Sequence, residues 1–147
     1  DPHADQGVQE FSYACYPFRG DRIQAQVVHR GIAFDRRCHL GEELTAGCQA
    51  LMRRKALFEL DSEDGSCHVA AESVKLAEDG SGRAVIRLYE ACGHPQRVRL
   101  LSHLPLAGLW ETDLMEGKGI RRETEDNAAA LSFRAFEIKT IIMEVKS

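Results

Sequence analysis

The stretch VAAESVKLAEDGSGRAVIRLYEA, residues 69–91, decides how this chain folds. Val69 to Ala77 and Arg83 to Ala91 each read as a strand, and Asp79-Gly80-Ser81-Gly82 supplies tight-turn residues between them. In the second half Ala84, Ile86 and Leu88 alternate with Arg83, Val85 and Arg87. A period of two places the two sets on opposite faces of a strand, so residues 69–91 predict a β-hairpin.

The same pattern recurs on either side. Upstream, Ala56 to Leu60 predicts a short strand closed by the acidic turn Asp61-Ser62-Glu63-Asp64-Gly65. Downstream, Val98 and Leu100 alternate with Arg97 and Arg99 across Arg97 to Leu101. Leu109 to Met115 carries the single tryptophan, Trp110, ahead of turn residues Gly117 and Gly119, and Leu131 to Ala135 follows. In the last run, Phe136 to Val145, the alternation breaks at Ile141-Ile142-Met143. Either a bulge lies near Thr140 or both faces of this strand are covered, and covering both calls for more protein than one small sheet supplies. Strands spaced this closely between Gly/Asp/Ser/Pro turns predict an all-β antiparallel sandwich with at most one or two short helices.

The first third is less regular. Val8 to Phe18 reads as an aromatic strand ended by Pro17 and Gly20, with Phe11 and Tyr13 on one inward face. Asp21 is placed to cap a short helix carrying Ile23, Val27 and Val28, with Gly31 as its stop. Leu40, Leu44, Cys48 and Leu51 have helical spacing, interrupted by Gly41 and Gly47. Residues 1–55 therefore read as an N-terminal strand plus an irregular connecting segment, and 56–147 as the C-terminal antiparallel sandwich. The long irregular stretch suits a crossing between sheets or a surface packed on a neighbour.

Composition sets the outer bounds. With 44% hydrophobic and 29% charged residues the chain has the balance of a folded domain. A net charge of −4 gives no general field for nucleic acid, and Arg36-Arg37 and Arg53-Arg54-Lys55 read as solvated runs. No stretch approaches the roughly 20 apolar residues of a membrane-spanning helix. The five cysteines, Cys15, Cys38, Cys48, Cys67 and Cys92, form no CxxC pair. They read as buried, reduced thiols in a reducing compartment.

Catalytic chemistry is harder to find. Glu111 and Asp113 share a strand face beside Trp110, and Glu123, Glu125 and Asp126 cluster in a loop, but nothing indicates the separation across a cleft that paired acid chemistry needs. The six histidines, His3, His29, His39, His68, His94 and His103, form no HxH or HExxH. Cys38-His39 and Cys67-His68 repeat one dipeptide, yet neighbours on a strand point to opposite faces and rarely supply one ion. The acidic turn at Asp61 to Gly65 lacks the glycine position and closing glutamate of a calcium loop. Gly117-Lys118-Gly119 is too short to cradle phosphate. No catalytic, cofactor-binding or metal-ligating residue is assigned.

Several segments carry a family resemblance. Val74-Lys75, Ala77-Glu78-Asp79 and Arg87-Leu88-Tyr89-Glu90-Ala91 with Gly93 resemble the C-terminal part of glycoside hydrolase family 38 α-mannosidases. Thr112-Asp113-Leu114-Met115-Glu116 is similar to that family's TDLLE segment, and Phe136-Glu137-Ile138-Lys139-Thr140 to its closing FEIKT strand. Asp5-Gln6-Gly7, Glu10-Phe11 and Tyr13-Ala14 match a further pattern near the start. Gln9 and Phe18 stand where the family commonly has histidines. The flavour is that of the bacterial and cytosolic branch.

The resemblance implies a β-sandwich of the galactose mutarotase-like, supersandwich type. It implies that the chain is one continuous C-terminal portion of a larger enzyme that hydrolyses terminal α-D-mannosides with retention. It further implies an upstream catalytic domain holding zinc, an aspartate nucleophile and an acid, with none of that machinery on these residues. The expected partners are that domain of the same polypeptide and, through the parent, mannosides; no nucleic acid or membrane is expected, and the expected compartment is the cytoplasm. The two-faced last strand leaves a homo-oligomer open. The alternatives are an independent carbohydrate-binding module, with Trp110 and the aromatics of Phe11 to Phe18 as stacking platforms, or an oligomerisation module.

Overall fold

The computed structural model describes residues 6–35, 56–63 and 65–146. Expectations for Arg36 to Lys55, including the Leu40 to Leu51 spacing and the Cys38-His39 dipeptide, lie outside the described residues, as do His3 and Asp64. The chain divides into two compact units, Asp1–Arg37 and Cys38–Ser147, and each is described by itself.

In the first unit, the chain from Val8 to Phe18 lies outside any strand, and Phe11 and Tyr13 are 84% and 87% exposed. The expected aromatic strand with an inward face is therefore corrected. Alternation marks a strand only where a sheet receives one face, and no ladder pairs with this segment among the described residues. Asp21 does accept the Ile23 N–H through Oδ1 at 2.9 Å. That turn ends at Gln26, whose φ of 51° is left-handed. The helix, α1, runs only from Val27 to Asp35 and passes through Gly31. Gly31 is no stop signal here: a Cβ at that position would meet nothing within 4 Å, and its φ is not left-handed.

The second unit is an antiparallel sandwich of eight strands: β1 (Phe58–Ser62), β2 (Val69–Leu76), β3 (Ala84–Glu90), β4 (Gln96–Ser102), β5 (Leu106–Thr112), β6 (Ile120–Arg121), β7 (Ala128–Phe133) and β8 (Ile138–Val145). One sheet has the order β1-β4-β7 and the other β2-β3-β8-β5-β6. The predicted hairpin is β2 and β3, paired from Val69↔Glu90 to Leu76↔Ala84. Its turn is fixed by Asp79, which accepts the Ser81 N–H at 2.9 Å and pairs with Arg83 at 2.5 Å. Those contacts, led by Ser81, hold the Asp79 carboxyl down to about 2.

The sheets meet through one apolar cluster. Val69, Ile86, Leu88, Leu109, Ile141 and Met143 come from the larger sheet, and Val98, Leu100, Leu131 and Phe133 from the smaller. The alternation of β4 reads as expected, with Val98 and Leu100 buried and Arg97 and Arg99 exposed.

β8 resolves the ambiguity of the broken alternation. Its pairing with β3 runs without a shift from Ala84↔Met143 to Tyr89↔Ile138, so no bulge lies near Thr140. The irregularities fall instead between Ala71 and Ser73 in β2 and between Leu106 and Gly108 in β5. Thr140, Ile141, Ile142 and Met143 are all buried. Ile141 and Met143 face the main core, while Ile142 packs with Val85, Ala77 and Trp110 on the other side. The expectation that outside protein is needed for that second face is corrected. An indole folded back over the sheet supplies the cover, lying so close to Gly108 that a Cβ there would stand 2.4 Å from the ring.

Candidate functional site

The segments at Lys75, Arg87–Glu90, Thr112–Glu116 and Phe136–Thr140 lie far apart in sequence but meet on and around the larger sheet. The register places Arg87 opposite Thr140 and Tyr89 opposite Ile138, on the face turned away from the core, and Thr112 opposite Thr140 on that same face. Three glutamates, Glu116, Glu90 and Glu111, fasten the segments together.

Glu116 sits in the loop after β5 with its side chain only 6% exposed. Its Oε1 lies 2.6 Å from the Lys75 ammonium and 3.7 Å from Arg87, and its Oε2 accepts the Glu78 N–H at 2.9 Å. Lys75 first, then that N–H, hold its carboxyl below the usual glutamate range. Arg87 also donates to the Leu114 carbonyl at 3.2 Å. Asp113 accepts the N–H groups of Met115 and Gly117, both at 3.0 Å. The loop is thus tied at both ends, and its tip holds Leu114 and Met115 out to solvent, 57% and 86% exposed.

Glu90 does the same for the turn before β8. Its carboxylate accepts N–H groups from Cys92 at 2.8 Å, Gly93 at 2.7 Å and Phe136 at 3.0 Å. Burial pushes this carboxyl up, but the backbone donors outweigh it and the net shift is downward. Phe136 has a left-handed φ of 57° and, with Ile138, remains exposed.

Gly93 is required beside it, with φ at +82° and a virtual Cβ 2.6 Å from the Phe136 ring. Gly93→Ala combines left-handed strain with that clash and is expected to lower stability by about 2–3 kcal/mol. Urea unfolding reads this directly; a change under about 0.5 kcal/mol, the ordinary surface range, would contradict the account.

The paired carboxylates expected at Glu111 and Asp113 do not share a face. β5 ends at Thr112, so Asp113 belongs to the loop, while Glu111 pairs in register with core-facing Ile141. Glu111 binds Lys139 at 2.6 Å and also Arg122. Burial raises its carboxyl, and the two cations bring it below the ordinary value. Lys139 in turn lies 5.6 Å from the centroid of the Phe133 ring. Neither carboxylate stands ready for acid–base work: one closes the end of the sandwich and the other shapes a loop.

Glu123, Glu125 and Asp126 line a groove of about 1220 Å³ against Arg97, Arg99 and Ala130 on the smaller sheet. Its end is a two-residue turn at Asp126-Asn127, both left-handed, which suits the hairpin twist. Trp110 is no open stacking platform. The Arg83 and Arg121 guanidinium carbons lie 5.9 and 5.8 Å from its ring centroid. Exposed aromatics include Phe136 in the second unit and, in the first unit, Phe11 and Tyr13, which lie 6.5 Å apart.

His68, Glu90 and Cys92 form the one grouping of potential metal ligands found among the described residues, with ligand atoms all within 4.8 Å of one another. Dipeptide spacing concealed it, because His68 finds its neighbours across the β2–β3 ladder and not beside Cys67. This mixed thiol, imidazole and carboxylate set does not fit the histidine and aspartate motifs of the catalytic zinc that the resemblance places upstream.

Comparison with known proteins agrees with the geometry. A family model described as the glycosyl hydrolases family 38 C-terminal beta sandwich domain matches residues 68–141. The chain is 24% identical over 143 residues to alpha-mannosidase G of Dictyostelium discoideum, covering 95% of this chain and 13% of that protein.

Proposed function

As the chain belongs to the glycosyl hydrolase family 38 C-terminal β-sandwich family, we propose that it is a non-catalytic platform that packs on and supports the catalytic domain of an α-mannosidase. The parent hydrolyses terminal α-D-mannosides and carries the zinc, in the manner of the bacterial and cytosolic branch. Its compartment is the cytoplasm, in keeping with five cysteines that form no CxxC pair.

One observation carries the reading. Leu114, Met115, Phe136 and Ile138 are exposed apolar side chains on loops and a strand end held by buried carboxylates. A backbone already held in place loses little entropy on docking, which favours a contact surface. Carbohydrate binding by the sandwich has less support, since its tryptophan is already covered.

The test uses the complete polypeptide that carries this chain. Leu114→Asp with Met115→Asp is expected to leave the unfolding of the 147-residue chain within about 0.5 kcal/mol, because both sites are exposed. In the complete enzyme the pair should lower the melting temperature and the aryl α-mannosidase activity together. The isolated chain should turn over no aryl α-mannoside, with or without zinc. Full stability and activity in the doubly substituted enzyme would defeat the docking assignment; protein-dependent turnover by the isolated chain would defeat the non-catalytic one.

A further inference from the structure

We propose that His68, Glu90 and Cys92 form a binding site for one borderline-soft divalent cation, of the zinc class, at the open end of the β2–β3 hairpin, away from its turn. The ladder builds the site. Val69 pairs with Glu90, and the Ala91 N–H donates to the His68 carbonyl at 2.9 Å, so the residue entering β2 lies beside the chain leaving β3. Beyond Glu90 the chain turns, and Cys92 comes round to the Glu90 carboxylate, to which its own N–H donates at 2.8 Å. Gln96 locks the other side: its Oε1 accepts the His68 N–H at 2.7 Å, and its Nε2 donates to the Ser66 carbonyl at 2.6 Å. The ligand-bearing backbone is therefore fixed before any ion arrives, which favours binding.

The imidazole of His68 is the independent observation. Both its ring nitrogens are buried, and neither has a hydrogen-bond partner. A neutral imidazole carries one donor and one acceptor, so burial without partners is unfavourable, and a cation on one nitrogen gives the lone pair its use.

Glu90 is already engaged: Cys92 donates to Oε1, Gly93 and Phe136 donate to Oε2, and the His94 N–H is a fourth donor to the carboxylate, so a metal on Glu90 takes the place of one of these donors. Thiol, imidazole and carboxylate together are a zinc-type set. In a tetrahedral site the ligand atoms would stand about 3.5 Å apart. The observed limit of 4.8 Å therefore calls for a tightening of about 1 Å. Three protein ligands leave one position for water. On binding, the Cys92 thiol releases its proton to solvent and its sulfur coordinates as thiolate.

The chain, stripped with chelator, is titrated with Zn²⁺ alone and Co²⁺ alone. One equivalent should bind, and the Co²⁺ form should show thiolate-to-metal charge transfer and four-coordinate visible bands. Cys92→Ser should abolish the charge transfer, and His68→Gln should weaken binding by at least about tenfold, while Cys67→Ser should change neither. Should Cys92→Ser fail to fold, alkylation of the unsubstituted chain mapped by mass spectrometry decides the matter: Zn²⁺ should protect Cys92. Absence of stoichiometric binding, charge transfer that survives Cys92→Ser, or protection at another cysteine in place of Cys92 would each overturn the site.

Discussion

Glu90→Ala should cost about 3–5 kcal/mol of stability, near the top of the range for single substitutions, and lower the melting temperature by on the order of 10–20 °C. The side chain is 1% exposed and accepts backbone N–H groups from Cys92, Gly93 and Phe136, with the His94 N–H a fourth donor. Alanine leaves those donors with no partner in a place water reaches poorly, at about 1–3 kcal/mol each before relaxation. The contributions overlap, because the turn from Cys92 to Gly93 and the turn at Phe136 would loosen together. Denaturant unfolding checks the value, and a loss below about 1 kcal/mol, the net worth of one ordinary hydrogen bond, would rule out the clamp.

Glu90→Gln tests the charge separately. The folded carboxyl lies below the ordinary value of 4.5, so ionised Glu90 contributes stability that is fully present above that value. The contribution is lost as pH falls through the lower, folded value. The gap between the natural chain and Glu90→Gln should therefore be constant near neutrality and shrink in acid. A gap that widens in acid would mean the carboxyl is held protonated in the folded state.

How far such features can be read from sequence depends on whether the relevant contacts are local. The β2–β3 hairpin was legible because Asp79 to Gly82 fixes its turn and Ala84 to Leu88 fixes its faces within one short window. β4 was legible for the same reason. The Val8 to Phe18 segment shows the limit: its alternation resembles that of β4, but β4 has β1 and β7 on either side and this segment has no ladder among the described residues. Glu111 and Asp113 misled because their faces depend on where β5 ends, which the Thr112–Gly117 hydrogen bond decides. The grouping of His68 with Glu90 and Cys92 was invisible for a further reason. It joins one residue before a strand to the last residue of another and to one two positions beyond it, and no spacing rule covers a chain that turns after its ladder ends.

The broken alternation at Ile141-Ile142-Met143 leaves a bulge near Thr140 or two covered faces open in the sequence; the structure has two covered faces and no bulge there, and two alanine substitutions separate the possible covers. Ile141→Ala should cost about 3–5 kcal/mol, since its side chain is 0% exposed in the main cluster and little there can collapse into the gap. Ile142→Ala should cost about 2–3 kcal/mol, the lower part of the range, because its cluster is smaller and Trp110 can settle toward the space. The second value is the decisive one. If Val85, Ala77 and the indole cover this face, Ile142 is already out of water in the isolated chain and its truncation is costly there. If the cover came from another domain or another copy, the isolated chain would leave Ile142 wet, and the cost would fall below about 0.5 kcal/mol, as at ordinary surface sites. Chemical denaturation of the two variants at several protein concentrations distinguishes these cases. A cost for Ile142→Ala that grows with concentration would assign the second face to self-association, whereas a constant cost keeps it with the fold and leaves docking to Leu114, Met115, Phe136 and Ile138.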